Sequence, residues 1–171
     1  MAYLVPSEFV TKMVDAGESK VHMSTRDTLI RGYMAGAILA LAAVFAVTVA
    51  VQTGVFLIGA ILFPVGFCML YLMGFDLLTG VFMLTPLAWL DKRPGVTPSQ
   101  ILRNWGLVFV GNFAGALTVA VMMAFVFTYG FSAAAGEVGE KISHIGESRI
   151  LGYAEYGLAG WLTIFLRGLL C

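Results

Sequence analysis

The sequence predicts an all-α fold, a polytopic bundle of membrane-spanning helices in which the second span is broken. Three observations lead there. Hydrophobic residues fill 60% of the 171 positions and charged residues only 12%, where a soluble domain has about 45–50% and about 25%. A soluble domain of this size has too little interior to hide so many Leu, Val, Ala and Phe side chains. The apolar stretches are also too long to be single spans, and turn residues divide them. With ten basic and ten acidic residues the formal net charge is zero, so there is no cationic excess for nucleic acid. A soluble enzyme is equally disfavoured.

The first element is a polar, amphipathic helix over 7–20. Pro6-Ser7-Glu8 reads as its start, with Phe9, Met13 and Val14 on one face. No charged residue occurs from Gly32 to Phe75. As one helix that stretch would run roughly 66 Å, about twice the hydrocarbon core. Gln52-Thr53-Gly54 is its polar break, which places one span at 29–51 and a second from 55. Residues 55–73 suffice to cross. They are followed by Gly74, Asp76, Thr79 and Gly80 and then by a short apolar piece, 80–90. Irregular backbone at membrane depth must be buried in protein or line a polar cavity, so 74–79 is the most informative segment in the chain. Gly74 and Gly80 permit the turn, Asp76 suits a cap for freed amides, and Thr79 offers a hydroxyl.

A third span follows Thr97-Pro98-Ser99 and occupies 98–130; a polar loop, 131–148, separates it from a fourth apolar stretch, 150–171. That stretch holds Glu155 and Arg167, near enough to span ends to pair or snorkel, and stops at Cys171 without a polar flank. The chain therefore reads as truncated. Lys12, Lys20, Arg26, Arg31, Lys92, Arg93 and Arg103 lie on one side of this layout, and Lys141 and Arg149 on the other. The positive-inside rule then puts the N-terminus and the 91–99 loop in the cytoplasm. No signal peptide opens the chain. Cys68 and Cys171 form no disulfide framework or metal motif, and His22 and His144 fall in polar stretches. No metal or cofactor is expected. Gly32, Gly36, Gly111 and Gly115 form small-x-x-x-small patterns, which mark close helix contact within or between protomers.

Several stretches together resemble the formate/nitrite transporter family of pentameric anion channels. They are Pro6-Ser7-Glu8, Gly17 to Lys20, Arg31-Gly32, Ala35-Gly36, Phe63-Pro64-Val65-Gly66-Phe67, Gly74-Phe75-Asp76-Leu77-Leu78-Thr79-Gly80, Asn104-Trp105, Gly111-Asn112 with Gly115, and Arg167 to Cys171. The resemblance implies an aquaporin-like inverted-repeat architecture, of which the first repeat and the fourth helix are present. It also implies five protomers per assembly in the inner (cytoplasmic) membrane, contact with lipid, and a narrow pore in each protomer. The cargo would be small monovalent anions, with formate first and nitrite or hydrosulfide as further candidates. Carried over by position, Leu77, Leu78 and Thr79 are pore-loop residues. Phe63 joins Leu78 at an outer constriction and Phe67 joins Leu77 at an inner one. Thr79 donates a hydrogen bond to the anion. Where the family usually has a lysine at the mouth of the fourth span, this sequence has Glu155 and Tyr156, the candidate vestibule. Two other readings compete. One is a non-conducting fragment of such a channel. The other is a membrane-anchor or redox subunit of an enzyme complex, which would need His or Met ligands facing each other inside the spans.

Overall fold

The computed structural model describes residues 4–170, so Cys171 lies outside the described residues. Among those described, every regular element is helical. They form two compact units, one of residues 4–43 and 62–122 and the other of residues 44–61 and 123–170.

In the first unit, helix α1 (Pro6–His22) begins with Pro6 in its first turn, and the Glu8 carboxylate accepts the Val5 N–H at 3.2 Å. Its buried stripe is Val14, Gly17 and Val21, not the expected Phe9, Met13 and Val14; Phe9 is 54% exposed. Gly17 explains the shift. A Cβ there would lie 2.7 Å from the carbonyl carbon of Leu84, so α1 meets helix α5 (Leu78–Leu90) backbone to backbone along that stripe. Val21 packs with Ala88, Val96 and Ile101, and Trp105 closes over them. Arg93 reinforces the pairing at the surface through Asp15 at 2.7 Å and Glu18 at 3.5 Å. The amphipathic helix thus covers the bundle. His22 ends it, within 3.1 Å of the Pro94 carbonyl oxygen.

Helix α2 (Thr25–Thr53) starts at Ser24, whose hydroxyl accepts the Asp27 N–H at 3.1 Å. Helix α6 (Pro98–Phe127) starts after Thr97, whose hydroxyl accepts the Gln100 N–H at 3.4 Å. Both are long and apolar enough to cross a membrane. They touch through the four glycines of the small-residue patterns. A Cβ on Gly36 would lie 2.8 Å from Asn112 Cα, and one on Gly115 would lie 2.9 Å from the carbonyl carbon of Tyr33. The close contact is therefore made within one chain.

The segment expected as one span over 55–73 is two helices, α3 (Phe56–Leu62) and α4 (Val65–Leu72), interrupted at Phe63-Pro64 because Pro64 has no N–H to continue the ladder. The former belongs to the second unit apart from its last residue. Helix α5 follows the break at 73–77 and begins at Leu78, so Thr79 and Gly80 are helical. Gly80 is not among the residues with positive φ and supplies no turn.

The second unit contains the stretch expected as a polar loop, 131–148, and most of it is helix α7 (Gly136–Ile150). Val138, Ile142 and Ile145 recur at helical spacing and are half-buried, while Glu137 and Lys141 stand four apart. That is an amphipathic helix, disguised by its glycines and charges. A 3-10 turn at Leu151–Tyr156 leads into helix α8 (Gly157–Leu170).

Candidate functional site

The break between α4 and α5 is built by one glycine and held by three other helices. Gly74 has φ +71°. The Gly74 N–H reaches the Tyr71 carbonyl at 3.1 Å and the Phe75 N–H reaches the Leu70 carbonyl at 2.9 Å, the double bond of a left-handed helix end. A residue with a Cβ would be strained there. The chain then runs extended through Leu77, at φ −100° and ψ 139°, and restarts as α5.

Extended backbone inside an apolar bundle must find partners for its polar groups. The Arg31 guanidinium on α2 donates to the Gly74 carbonyl at 3.1 Å, and the Arg31 carbonyl accepts the Asp76 N–H at 3.5 Å. Asn112 on α6 supplies the rest. Its Nδ2 donates to the Asp76 carbonyl and to the Gly32 carbonyl, both at 2.8 Å, and its Oδ1 accepts the Leu78 N–H at 2.9 Å. The first amide of α5 is therefore capped by a residue 34 positions later.

Asp76 departs from its expected role. The helix it precedes has no side-chain cap from its own chain neighbours. The Asp76 carboxylate instead forms an ion pair with Lys20 of α1, with the two side chains 1% and 17% exposed. One carboxylate oxygen, Oδ2, is buried without a hydrogen-bond partner among the described residues. Asp76 also borders a cavity of about 200 Å³ whose lining includes Lys20, Tyr71, Gly74 and Leu77. A buried carboxylate needs a counter-charge, which ties α1 to the break.

The break lies level with Arg31 and Gly32, where the charged start of α2 gives way to its apolar length. The site is thus at the end of the uncharged stretch, not at its middle. Asn104, 1% exposed, donates to the Lys20 carbonyl at 2.9 Å, and the Trp105 indole donates to the Thr85 hydroxyl at 2.9 Å. These bonds fix α6 against α1 and α5.

The expected site residues fall into separate groups. Phe63 and Phe67 form an edge-to-face pair with ring centres 5.6 Å apart, and both are half-buried. Leu77 lines the cavity, whose lining includes none of Phe63, Phe67, Leu78 and Thr79. Leu78 is half-buried at the α5 start and Thr79 is exposed beside it. Glu155 and Tyr156 are exposed in the 3-10 turn of the second unit. Arg167 bonds the Tyr153 hydroxyl and stacks on its ring at 5.7 Å, so its partner is Tyr153 and not Glu155. Of the three side chains that hold the break, Lys20 and Arg31 enter the sequence reading as cations that orient the chain, and Asn112 only within Gly111-Asn112. An amide in the apolar middle of a span, beyond Asn104, is the available signal for Asn112.

The formate/nitrite transporter family model matches residues 7–171. Among curated proteins, an uncharacterized transporter of Bacillus subtilis, YrhG, is 32% identical over 70% of this chain and 47% of its own length. A formate channel of Bacillus thuringiensis, BtFdhC, is 30% identical over 70% of this chain and 48% of its own. The formate channel FocA of Haemophilus influenzae is 31% identical over 84% of this chain and 49% of its own. The chain spans about half the length of these relatives. No solved structure matches it significantly. With this match over nearly its whole length, and two helices able to cross a membrane, the chain belongs to the formate/nitrite transporter family, a family of membrane transport proteins and not of enzymes.

Proposed function

We propose that the protein carries small monovalent anions across the membrane, formate first and nitrite or hydrosulfide next, through a narrow pore in each protomer. The observation that carries this reading is the glycine-turned break at 73–77, held by Lys20, Arg31 and Asn112 between apolar helices in a chain of this family. Two of the relatives are named formate channels. A channel needs no reacting group. Apolar rings exclude large hydrated ions, and a few donors at a break replace part of the water that an anion sheds.

In this reading α2 is the first span, α3 to α5 the broken second, α6 the third and α8 lies in the fourth, as part of an aquaporin-like inverted repeat. Phe63 and Leu78 form the outer constriction, Phe67 and Leu77 the inner one, and the Thr79 hydroxyl donates to the anion. Glu155 and Tyr156 stand at the vestibule. The assembly is a homopentamer in the inner membrane. The N-terminus is cytoplasmic, on the side that seven of the Lys and Arg residues share against two.

Proteoliposomes carrying the full-length protein should pass formate and nitrite faster than empty liposomes; equal rates would remove the transport reading. Thr79→Ala should slow formate flux severalfold while pentamers persist on size-exclusion chromatography. Unchanged flux would reduce Thr79 to a structural residue.

A further inference from the structure

We infer that Asn112 is a positioning residue that sets the width of the pathway at the break, and through it the size of carboxylate the protein accepts. This rests on the transport reading above. Among the described residues Asn112 is the one side chain that grips both sides of the α5 start: its amide nitrogen holds the Asp76 carbonyl at 2.8 Å, and its oxygen holds the Leu78 N–H at 2.9 Å. Leu77 lies between those two points, so its backbone has little room to shift and its side chain keeps one place along the cavity wall. The second amide proton goes to the Gly32 carbonyl at 2.8 Å and fixes the amide itself to α2.

The chemistry requires an amide. Two carbonyls and one N–H converge on one side chain, which needs two donors and an acceptor in a single plane. A carboxylate would face two carbonyl oxygens, a hydroxyl has one donor, and an apolar group leaves all three main-chain groups unpaired. The reach is also specific. The main chain of α6 at Asn112 is met closely by α2, because a Cβ on Gly36 would stand 2.7 Å from the Asn112 carbonyl carbon. The glycine crossing brings the amide to the break, and Asn is short enough to bond Gly32 and Asp76 together. A site built in this way holds its geometry by supporting side chains outside the pathway.

The test uses the full-length protein in proteoliposomes, with formate and the bulkier monovalent carboxylate pyruvate as probes. Asn112→Asp and Asn112→Ser should each lower formate flux about tenfold and bring the formate-to-pyruvate flux ratio toward one. Pentamer yield should stay within about twofold. A role in stability alone would lower both fluxes together and leave the ratio unchanged. Hydrogen exchange on the wild-type protein gives a second measurement: the Leu78 amide should exchange at least tenfold more slowly than exposed backbone amides of α8. Formate flux and flux ratio within twofold of wild type in both variants would overturn the inference while leaving transport intact. If neither variant assembles, a rapidly exchanging wild-type Leu78 amide overturns it and a protected one supports it. A wild-type protein that passes no formate would overturn the transport reading, and the Leu78 exchange would still report whether Asn112 holds the loop.

Discussion

Of the glycines with positive φ, Gly74 at +71° and Gly157 at +53° both stand at helix joints, and they are supported in opposite ways. The groups around Gly74 are held by side chains 34 to 43 positions away in sequence, and Asp76 by Lys20 from α1. Around Gly157 the side-chain bond is local, from Arg167 to Tyr153, 14 residues apart on an exposed face. A joint held from afar has one geometry, because every partner belongs to a different helix. A joint held locally can move with its own helix. The first is built as a fixed site and the second as a connection.

The largest effect should come from removing the counter-charge at the first joint. Lys20→Met leaves the Asp76 carboxylate buried and unpaired, and should cost about 3–5 kcal/mol. Thermal unfolding of the full-length protein in detergent measures it. The double variant Lys20→Met/Asp76→Asn should recover much of the loss, since no isolated charge then remains. Additive losses would mean the two residues act independently.

Gly36→Ala should come next. It pushes a methyl into the α6 backbone at Asn112, for about 1–3 kcal/mol, and it should loosen Leu78 exchange by separating Asn112 from the break. A melting temperature equal to wild type would show that the crossing can widen freely. The smallest effect belongs to the second joint. Arg167→Ala removes an exposed contact and should change stability by no more than about 0.5 kcal/mol. A loss as large as that of Lys20→Met would erase the contrast between the joints.

Much of this was legible in the sequence. The run from Gly32 to Phe75 required a reversal, Gly74 required a turn, and the four spaced glycines required a close crossing; each constraint is local or periodic. The first break and the glycine crossing follow directly from those residues. What the residues did not reveal was partnership over distance. Asp76 looked like a cap because aspartate near a turn usually bonds its neighbours, yet its charge is matched from α1 and the cap comes from α6. Gly80 looked like a hinge and lies inside α5. The face of α1 was misplaced because Gly17, which admits α5, has no hydrophobic side chain to count. Helix α7 was masked by glycines and charges that a hydropathy reading assigns to a loop.

The ion pair at the break also has an electrostatic consequence. The groups that meet there carry two cations, Lys20 and Arg31, against the single carboxylate of Asp76, so the formal local balance is one positive charge in a chain whose total is zero. The N-terminal end of α5 adds the positive pole of its dipole at the same place. In surroundings of low polarity such a field reaches further than it would in water. The same bonds that keep the backbone in shape leave the break with a net positive formal charge.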